Sequence, residues 1–210
     1  NLNSADKKKL NKTELQKQLG LEVKDVPLVS IISRLADQKG LDIVSWVAEE
    51  MLNRNVQIVV LGTGEKRLED FFKGLEWNHR GSVSANIKFD DILAQRIYAS
   101  SDMFLMPSLF EPCGLGQMFS LRYGTIPIVR KTGGLSDTVT HFNRETKTGN
   151  GFVFEHHTAH GLMWAFDQAL SVYYTDDWKY IVKNAMACDY SWQSSALKYI
   201  ELYNKIVKEY

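Results

Sequence analysis

A single carboxylate, Glu111, lies on a glycine-bearing turn between an apolar run of strand length and a predicted helix. The hexapeptide EPCGLG at 111–116 forms this turn, and its glycines allow the backbone to approach a phosphate or a sugar closely. Backbone N–H groups at such a turn point toward negative groups of a ligand, and the acid could accept hydrogen bonds from sugar hydroxyls. The alternative is a tight turn whose acid caps the helix, and the hexapeptide alone does not separate the two.

Two cations follow the first apolar run of the chain. Arg34 and Lys39 lie in the loop SRLADQKG at 33–40, which leads into a helical pattern. The guanidinium of Arg34 can make two parallel contacts to a phosphate, whereas the ammonium of Lys39 acts as a mobile point charge. The pair suits a diphosphate and would stabilise its charge as it leaves. The alternative is a solvated loop with two ordinary surface cations.

Two further glycine turns follow apolar runs. The segment GTG at 62–64 resembles the start of a dinucleotide fingerprint, but Arg67 occupies the position of the third glycine, so the fingerprint is incomplete. The segment TGG at 132–134 is either a second backbone cradle or a tight turn in which Ser136 caps a helix, and the local sequence favours the turn. Asp90 is a predicted cap of a helix over 90–99. Phe89, directly before it, could stack a base, although a phenylalanine is by default a core residue.

Histidine and cysteine patterns do not indicate a metal or a nucleophile. His156, His157 and His160 flank Thr158, a predicted helix N-cap, and no acidic residue or cysteine completes a ligand set nearby, so no metal is predicted. Cys113 has no histidine near it in sequence, and the adjacent glycines indicate a position that requires a small packing residue rather than a nucleophile.

The elements between these loops must position them. Six apolar runs predict strands at 27–33, 56–61, 82–87, 103–106, 126–129 and 151–154, and helical patterns separate them. This alternation is typical of parallel βαβ units covered on both faces. The predicted fold class is α/β, with a Rossmann-like parallel sheet and helices on both faces. Its ligands bind at the carboxyl ends of the strands, where the four loops should converge.

The two ends of the chain differ in character. Residues 1–10 are polar and Lys-rich, which is typical of a linker, and the first helix is predicted from Thr13 to Leu19. From Thr158 onward the pattern is helical. Its large apolar side chains are predicted to be core: Trp164, Phe166, Leu170, Tyr173, Tyr174, Trp192, Leu197, Ile200, Leu202 and Ile206.

Composition narrows the classes of function. A length of 210 residues suits one large α/β domain, and a formal net charge of +0 gives no reason to expect a nucleic acid or an anionic membrane as partner. Two cysteines fit a reducing compartment. No apolar stretch approaches a membrane span, the first residues do not form a signal peptide, and a start without Met is compatible with a piece of a longer protein.

Taken together, these loops resemble the C-terminal half of bacterial glycogen synthases and plant starch synthases, which are retaining glucosyltransferases of two-domain GT-B architecture. The matching stretches are SRLxxQKGLD at 33–42, PSxFEPCGL at 107–115, RYGTxPIVRxTGGLxDTV at 122–139 and DYSW at 189–192. The resemblance runs in order from about residue 11 to the C-terminus. It implies a linker remnant at 1–10 and a donor-binding domain at 11–210 that includes the C-terminal helices.

The resemblance implies catalytic roles for three residues. Arg34 and Lys39 match the basic pair that holds the nucleotide diphosphate and supports its departure, and Glu111 matches the acid that contacts hydroxyls of the donor glucose. The remaining positions implied to bind the nucleotide sugar are Phe89, Cys113, Gly114, Leu115, Gly116, Thr132, Gly133 and Gly134. Bacterial enzymes carry a Tyr that stacks on adenine at the position of Phe89, and some relatives carry a Thr at that of Gly116.

The implied reaction transfers glucose from ADP-glucose to the non-reducing end of an α-1,4-glucan with retention, without a metal or a cofactor. The family's acceptor-side loop and N-terminal half are absent from this chain, so the α-glucan would bind through the missing half and the isolated domain is expected to be inactive. The enzyme would be cytoplasmic in a bacterium and plastidial in a plant.

Three alternatives stay open. One is a glycosyltransferase that uses UDP-glucose, and another is a phosphorylase-like enzyme, although no lysine is nominated to hold its pyridoxal phosphate. The third is a non-catalytic module that binds a nucleotide or a glucan. A sucrose-phosphate synthase is less well supported, because Phe119 occupies the position of that family's second glutamate.

Overall fold

A computed structural model describes residues 7–208 of the chain, with the side chain of Lys208 left out. Within this range the strands are β1 (Leu28–Ile32), β2 (Gln57–Leu61), β3 (Val83–Asn86), β4 (Met103–Met106), β5 (Ile126–Arg130) and β6 (Phe152–Phe154). They form one six-stranded sheet in the order β3-β2-β1-β4-β5-β6, and every neighbouring pair is parallel. The predicted fold class is confirmed.

Helices connect the strands and continue beyond the last one. Over the described residues they are α1 (Lys8–Gln18), α2 (Leu41–Leu52), α3 (Lys66–Asn78), α4 (Asp91–Ser100), α5 (Gly116–Arg122), α6 (Gly133–Thr138), α7 (Ala159–Tyr173), α8 (Asp177–Ala187) and α9 (Trp192–Lys208). A single 3₁₀ turn, Asp37–Lys39, precedes α2. None of the helices between residues 7 and 208 combines the length and the apolar character that a membrane span requires.

The strands are apolar because helices cover both faces of the sheet. In β2, Ile58 and Val60 pack into the larger core cluster with side chains of α2 and α7. Val59 and Leu61 point to the opposite face, where they pack with side chains of α1 and α4. Side chains of successive strand residues point to opposite faces of the sheet. Because both faces are covered, both sets of side chains are buried and the strand sequence is apolar throughout.

The first helix begins five residues earlier than the sequence predicts. α1 starts at Lys8 rather than Thr13, so residues 8–10 of the predicted linker are helical, while residues 1–6 lie outside the described residues. The lysines of this segment suggested a linker, but Lys8 Nζ donates to Thr125 Oγ1 at 2.7 Å and thereby attaches the start of α1 to the rest of the fold. A domain boundary at residue 10 stays a prediction.

Several residues of the predicted helical core are not buried. Phe166 and Leu170 are core residues as predicted, and Tyr173 is half-buried against the core. The prediction is wrong for seven side chains, which are exposed: Trp164, Tyr174, Trp192, Leu197, Ile200, Leu202 and Ile206. An apolar helical stripe shows that a face is able to pack, but it does not show that a neighbouring element covers that face.

Candidate functional site

The candidate site lies where the order of the strands reverses. β1 and β4 are neighbours in the sheet although two strands separate them in sequence, with Val29 paired to Met103 and Ser30 to Phe104. The loop after β1 leads to α2 on one side, and the loop after β4 leads to α5 on the other. Parallel strands end at the same edge, so the two loops border a crevice, which is where open α/β sheets bind ligands.

A direct backbone contact joins these two loops. The N–H of Leu109 donates to the carbonyl of Gln38 at 2.9 Å. Gly40 has a φ of +70°, and a Cβ there would lie 2.1 Å from the carbonyl oxygen of Pro107. Only glycine adopts this conformation without strain and leaves room for the neighbouring loop. The contact joins the 33–40 loop directly to the loop that carries Glu111.

Glu111 and Lys39 form an ion pair inside the crevice. Their side chains are 9% and 23% exposed, and Lys39 Nζ lies 2.6 Å from Glu111 Oε2. Ser108 Oγ donates to the same oxygen at 3.2 Å. Among the described residues Glu111 Oε1 has no hydrogen-bond partner, so it is available to accept a hydrogen bond from a ligand hydroxyl.

A cavity of about 260 Å³, here called the Glu111 cavity, surrounds this pair. Six of the predicted site residues line it, and they come from both loops: Arg34, Lys39, Glu111, Gly114, Leu115 and Gly116. Cations and a carboxylate thus face one space together with a glycine-bearing turn. Such a space can hold an anion beside a group that offers hydroxyls.

A second cavity of about 330 Å³, the Phe89 cavity, adjoins the first. Ile32, Ser33 and Arg34 line both of them. Phe89 is 85% exposed at the second cavity, so the core alternative for this residue is wrong. Asp90 caps α4 by accepting from the N–H of Leu93 at 2.9 Å, as predicted, and thereby places Phe89 directly before the helix.

The glycines of the GTG segment serve close packing between loops. A Cβ at Gly62 would lie 1.8 Å from the carbonyl oxygen of Ser33, and one at Gly64 would lie 2.1 Å from that of Leu35. The N–H of Leu35 in turn donates to Thr63 at 2.9 Å. The close approach of the 33–35 backbone therefore explains why both positions are glycine, without a dinucleotide fingerprint.

The TGG segment packs against the backbone of the Glu111 turn. The N–H of Gly134 donates to the carbonyls of Glu111 and Pro112, both at 3.1 Å. Neither Thr132, Gly133 nor Gly134 lines the two cavities, and ligand contacts by these residues stay a prediction.

Two local predictions about the turns have different outcomes. α6 already begins at Gly133, so the prediction that Ser136 caps a helix is wrong: it lies within the helix that the glycines start. Cys113 is exposed and is not among the residues that line either cavity. The proposed pocket contact of Cys113 therefore stays a prediction.

Two side chains at the site were not predicted from the sequence, Gln117 and Tyr98. Gln117 is fully buried, and its Nε2 donates to the carbonyls of Cys113 and Gly114 at 3.1 and 3.0 Å, which holds the turn in place. Tyr98 lines the Glu111 cavity from α4. For Tyr98 the sequence contained a signal, the spacing along the predicted helix. Asp90, Ala94 and Tyr98 are four residues apart, so they lie on one face of that helix.

The histidine segment lies apart from both cavities. Thr158 caps α7 as predicted, accepting from the N–H of Gly161 at 3.0 Å. His157 faces Asp42, with 3.7 Å between Nε2 and Oδ1. Over residues 7–208 no group of three or more His, Cys, Asp or Glu side chains is arranged to hold a metal ion.

Comparison with known proteins agrees with the resemblance that the motifs carry. The family pattern described as glycosyl transferases group 1 matches residues 11–186. A glycogen synthase from Kosmotoga olearia is 54% identical over 207 residues, which cover 98% of this chain and 44% of that protein. A glycogen synthase from Clostridium perfringens is also 54% identical, over 96% of this chain and 42% of that protein.

A solved structure gives the same result at the level of the fold. The catalytic domain of starch synthase IV from Arabidopsis thaliana, bound to ADP and acarbose, superimposes with a TM-score of 0.89 at 39% identity. The match covers 99% of this chain and 44% of that one. The chain therefore spans less than half the length of these three relatives. The resemblance to glycogen and starch synthases is confirmed.

Proposed function

Because the chain belongs to the group 1 glycosyl transferases, we propose that it is the donor-binding half of a glycogen or starch synthase. The proposed enzyme transfers glucose from ADP-glucose to the non-reducing end of an α-1,4-glucan with retention. The observation that carries the proposal is the Lys39–Glu111 pair in a cavity that adjoins a second cavity with an exposed aromatic ring.

The two adjoining cavities could hold the base, the diphosphate and the glucose of a sugar nucleotide in that order. The base would stack on Phe89, which is free on its exposed face. Arg34 lines both cavities, so its guanidinium can reach a diphosphate that passes from one to the other. The glucose would then lie in the Glu111 cavity, with Oε1 of Glu111 as acceptor for its hydroxyls.

Without a donor, Lys39 and Glu111 neutralise each other. A diphosphate carries more negative charge than one carboxylate, so an arriving donor competes for the ammonium group of Lys39. Glu111 Oε2 then becomes available to a second sugar hydroxyl. As the bond to glucose breaks, negative charge grows on the diphosphate, and Arg34 and Lys39 stabilise it in place.

The acceptor and the rest of the catalytic machinery belong to the part of the relatives that this chain does not span. We propose that the α-glucan binds there, that turnover requires closure of the two halves, and that this chain alone does not transfer glucose. No step of the proposal needs a metal or a further cofactor. The higher identity to bacterial proteins favours a bacterial cytoplasm over a plastid as its location.

Calorimetric titration of the chain with ADP, UDP, ADP-glucose and NAD tests the proposal. ADP and ADP-glucose should bind preferentially, and Arg34→Ala and Lys39→Ala should each weaken both by about tenfold or more, the loss of a charge-assisted contact. Lys131→Ala is the matched control, because Lys131 pairs with Glu155 at the surface outside both cavities. Preference for UDP would change the donor, and absence of nucleotide binding to both this chain and the full-length parent would overturn the proposal.

A further inference from the structure

Tyr98 carries a hydroxyl that the fold leaves without a partner at the edge of the Glu111 cavity. The residue is 6% exposed, and its ring packs edge-on against Phe104 and Phe119, with ring centroids 5.1 and 5.9 Å away. Among residues 7–208 no group forms a hydrogen bond with its hydroxyl, although the side chain lines the cavity. The ring is buried but the hydroxyl oxygen is not fully enclosed, so a group bound in the cavity can reach it.

The hydroxyl lies beside the backbone of the glycine-bearing turn. A Cβ on Gly116 would lie 3.2 Å from the Tyr98 oxygen and 2.9 Å from a ring carbon of Phe104. Because residue 116 has no side chain, nothing at that position separates the hydroxyl from the cavity. The ring contacts with two phenylalanines position the hydroxyl at this place.

The same face of α4 runs along both cavities. Asp90, Asp91 and Ala94 line the Phe89 cavity, and Tyr98, one turn further along the helix, lines the Glu111 cavity. A nucleotide that stacks on Phe89 and extends toward Lys39 would pass along this face. Tyr98 therefore lines the cavity that the diphosphate must reach in order to meet Lys39.

We propose that the Tyr98 hydroxyl donates a hydrogen bond to an oxygen of the bound nucleoside diphosphate, as a further binding residue of the site. The inference rests on the proposed function and adds a residue to it. Burial raises the pKa of Tyr98 to about 12, so the hydroxyl keeps its proton at neutral and at moderately alkaline pH. It would supply a neutral donor next to the two cations.

The substitution Tyr98→Phe tests the inference, because it removes the hydroxyl and retains the ring contacts. Titration of this chain should show ADP and ADP-glucose both bound about tenfold more weakly, to the same extent at pH 6 and pH 9, with an unchanged melting temperature. Tyr123→Phe is the matched control, since the hydroxyl of Tyr123 bonds Gln95 at the surface, 2.7 Å away, and does not line the cavity.

The outcomes separate this inference from the proposed function. If the wild-type chain binds ADP and Tyr98→Phe binds it equally well, the inference is overturned and the proposed function stands. If only ADP-glucose is bound more weakly, the partner is the glucose, and the assignment to the nucleotide is wrong. If the wild-type chain binds none of the nucleotides, Tyr98 has no nucleotide to contact, and the inference is overturned together with the binding on which it rests.

Discussion

The charge pair at the site has opposite roles in the free and in the donor-bound protein. Glu111 holds Lys39 at 2.6 Å and so keeps the ammonium group in the crevice, where a diphosphate can take it over. Both side chains lose hydration there, and an unpaired charge at this depth would be costly. Each residue thus makes the burial of the other possible before any ligand arrives.

Replacing Glu111 by Gln should separate the two proposed contacts. Lys39 then lacks its counter-charge, so ADP should bind as well as before or up to about tenfold more tightly. The additional affinity that the glucose of ADP-glucose contributes should be lost, and transfer by the full-length enzyme should be abolished. Titration with both ligands measures this, with Glu155→Gln, in an exposed pair with Lys131, as the control. An equal loss of affinity for both ligands would contradict the sugar contact of Glu111.

Gly134 is expected to be essential for the shape of the Glu111 turn. A Cβ there would lie 2.2 Å from the carbonyl oxygen of Cys113, so Gly134→Ala must displace backbone and should lower the free energy of unfolding by about 1–3 kcal/mol. Gly74, inside α3, has no atom within 4 Å of its would-be Cβ. Gly74→Ala should therefore stabilise the protein by up to about 1 kcal/mol. Urea denaturation compares the two, and equal effects would contradict the packing role of Gly134.

At the scale of elements, one buried ion pair connects α1 to the sheet. Asp102, directly before β4, accepts from Lys12 of α1 and also from the N–H of Leu28, the first residue of β1, at 2.8 Å. The lysine therefore reaches the amino ends of β1 and β4, at the opposite edge of the sheet from the site. This contact explains why α1 is part of the folded unit despite its polar sequence.

Removing Asp102 should lower the free energy of unfolding far more than removing an aspartate of an exposed Lys–Asp ion pair. Asp102→Ala leaves the charge of Lys12 buried and unpaired, and the free energy of unfolding should fall by about 3–5 kcal/mol. Asp25 pairs with Lys9 at the surface, where the two side chains are 68% and 69% exposed, so Asp25→Ala should cost less than about 1 kcal/mol. Urea denaturation at pH 7 measures both. Similar losses in the two variants would show that α1 is held by other contacts.

At the scale of the whole molecule, the C-terminal helix differs from the other long helices. α7 buries one face, including Phe166 and Leu170, against the sheet and α2. α9 has 17 residues and an amphipathic pattern, yet its large apolar side chains are exposed. A helix of this length without tertiary packing is only marginally stable in water.

Amide hydrogen exchange of this chain should therefore show two classes of helix. The amides of α7 should be protected nearly as well as those of β1, because they open only when the core unfolds. The amides of α9 should exchange close to the rate of an unfolded peptide. α1, which the Lys12–Asp102 pair attaches to the sheet, is the control helix and should be protected. Protection of α9 equal to that of α7 would contradict its exposure.

Local pattern alone determined the elements and the candidate loops. Runs of buried strand residues, helical spacing between them and glycines after the strands are properties of neighbouring residues, and they placed the six strands within one residue of their ends. For the same reason Arg34, Lys39 and Glu111 could be selected by residue type and by their position after a strand. The caps of α4 and α7 were likewise predictable, since a cap contacts only residues three positions away.

Only the tertiary structure decided how these pieces meet. Strand order brings β1 and β4 together and thereby places Lys39 against Glu111, a contact between residues that 71 others separate in the chain. The apolar face of α9 was misjudged, and the contact of the TGG segment with the Glu111 turn was not foreseen, for one physical reason. A glycine turn or an amphipathic stripe shows what a segment is able to contact, and the partner that it contacts depends on which distant segments the fold brings to that place.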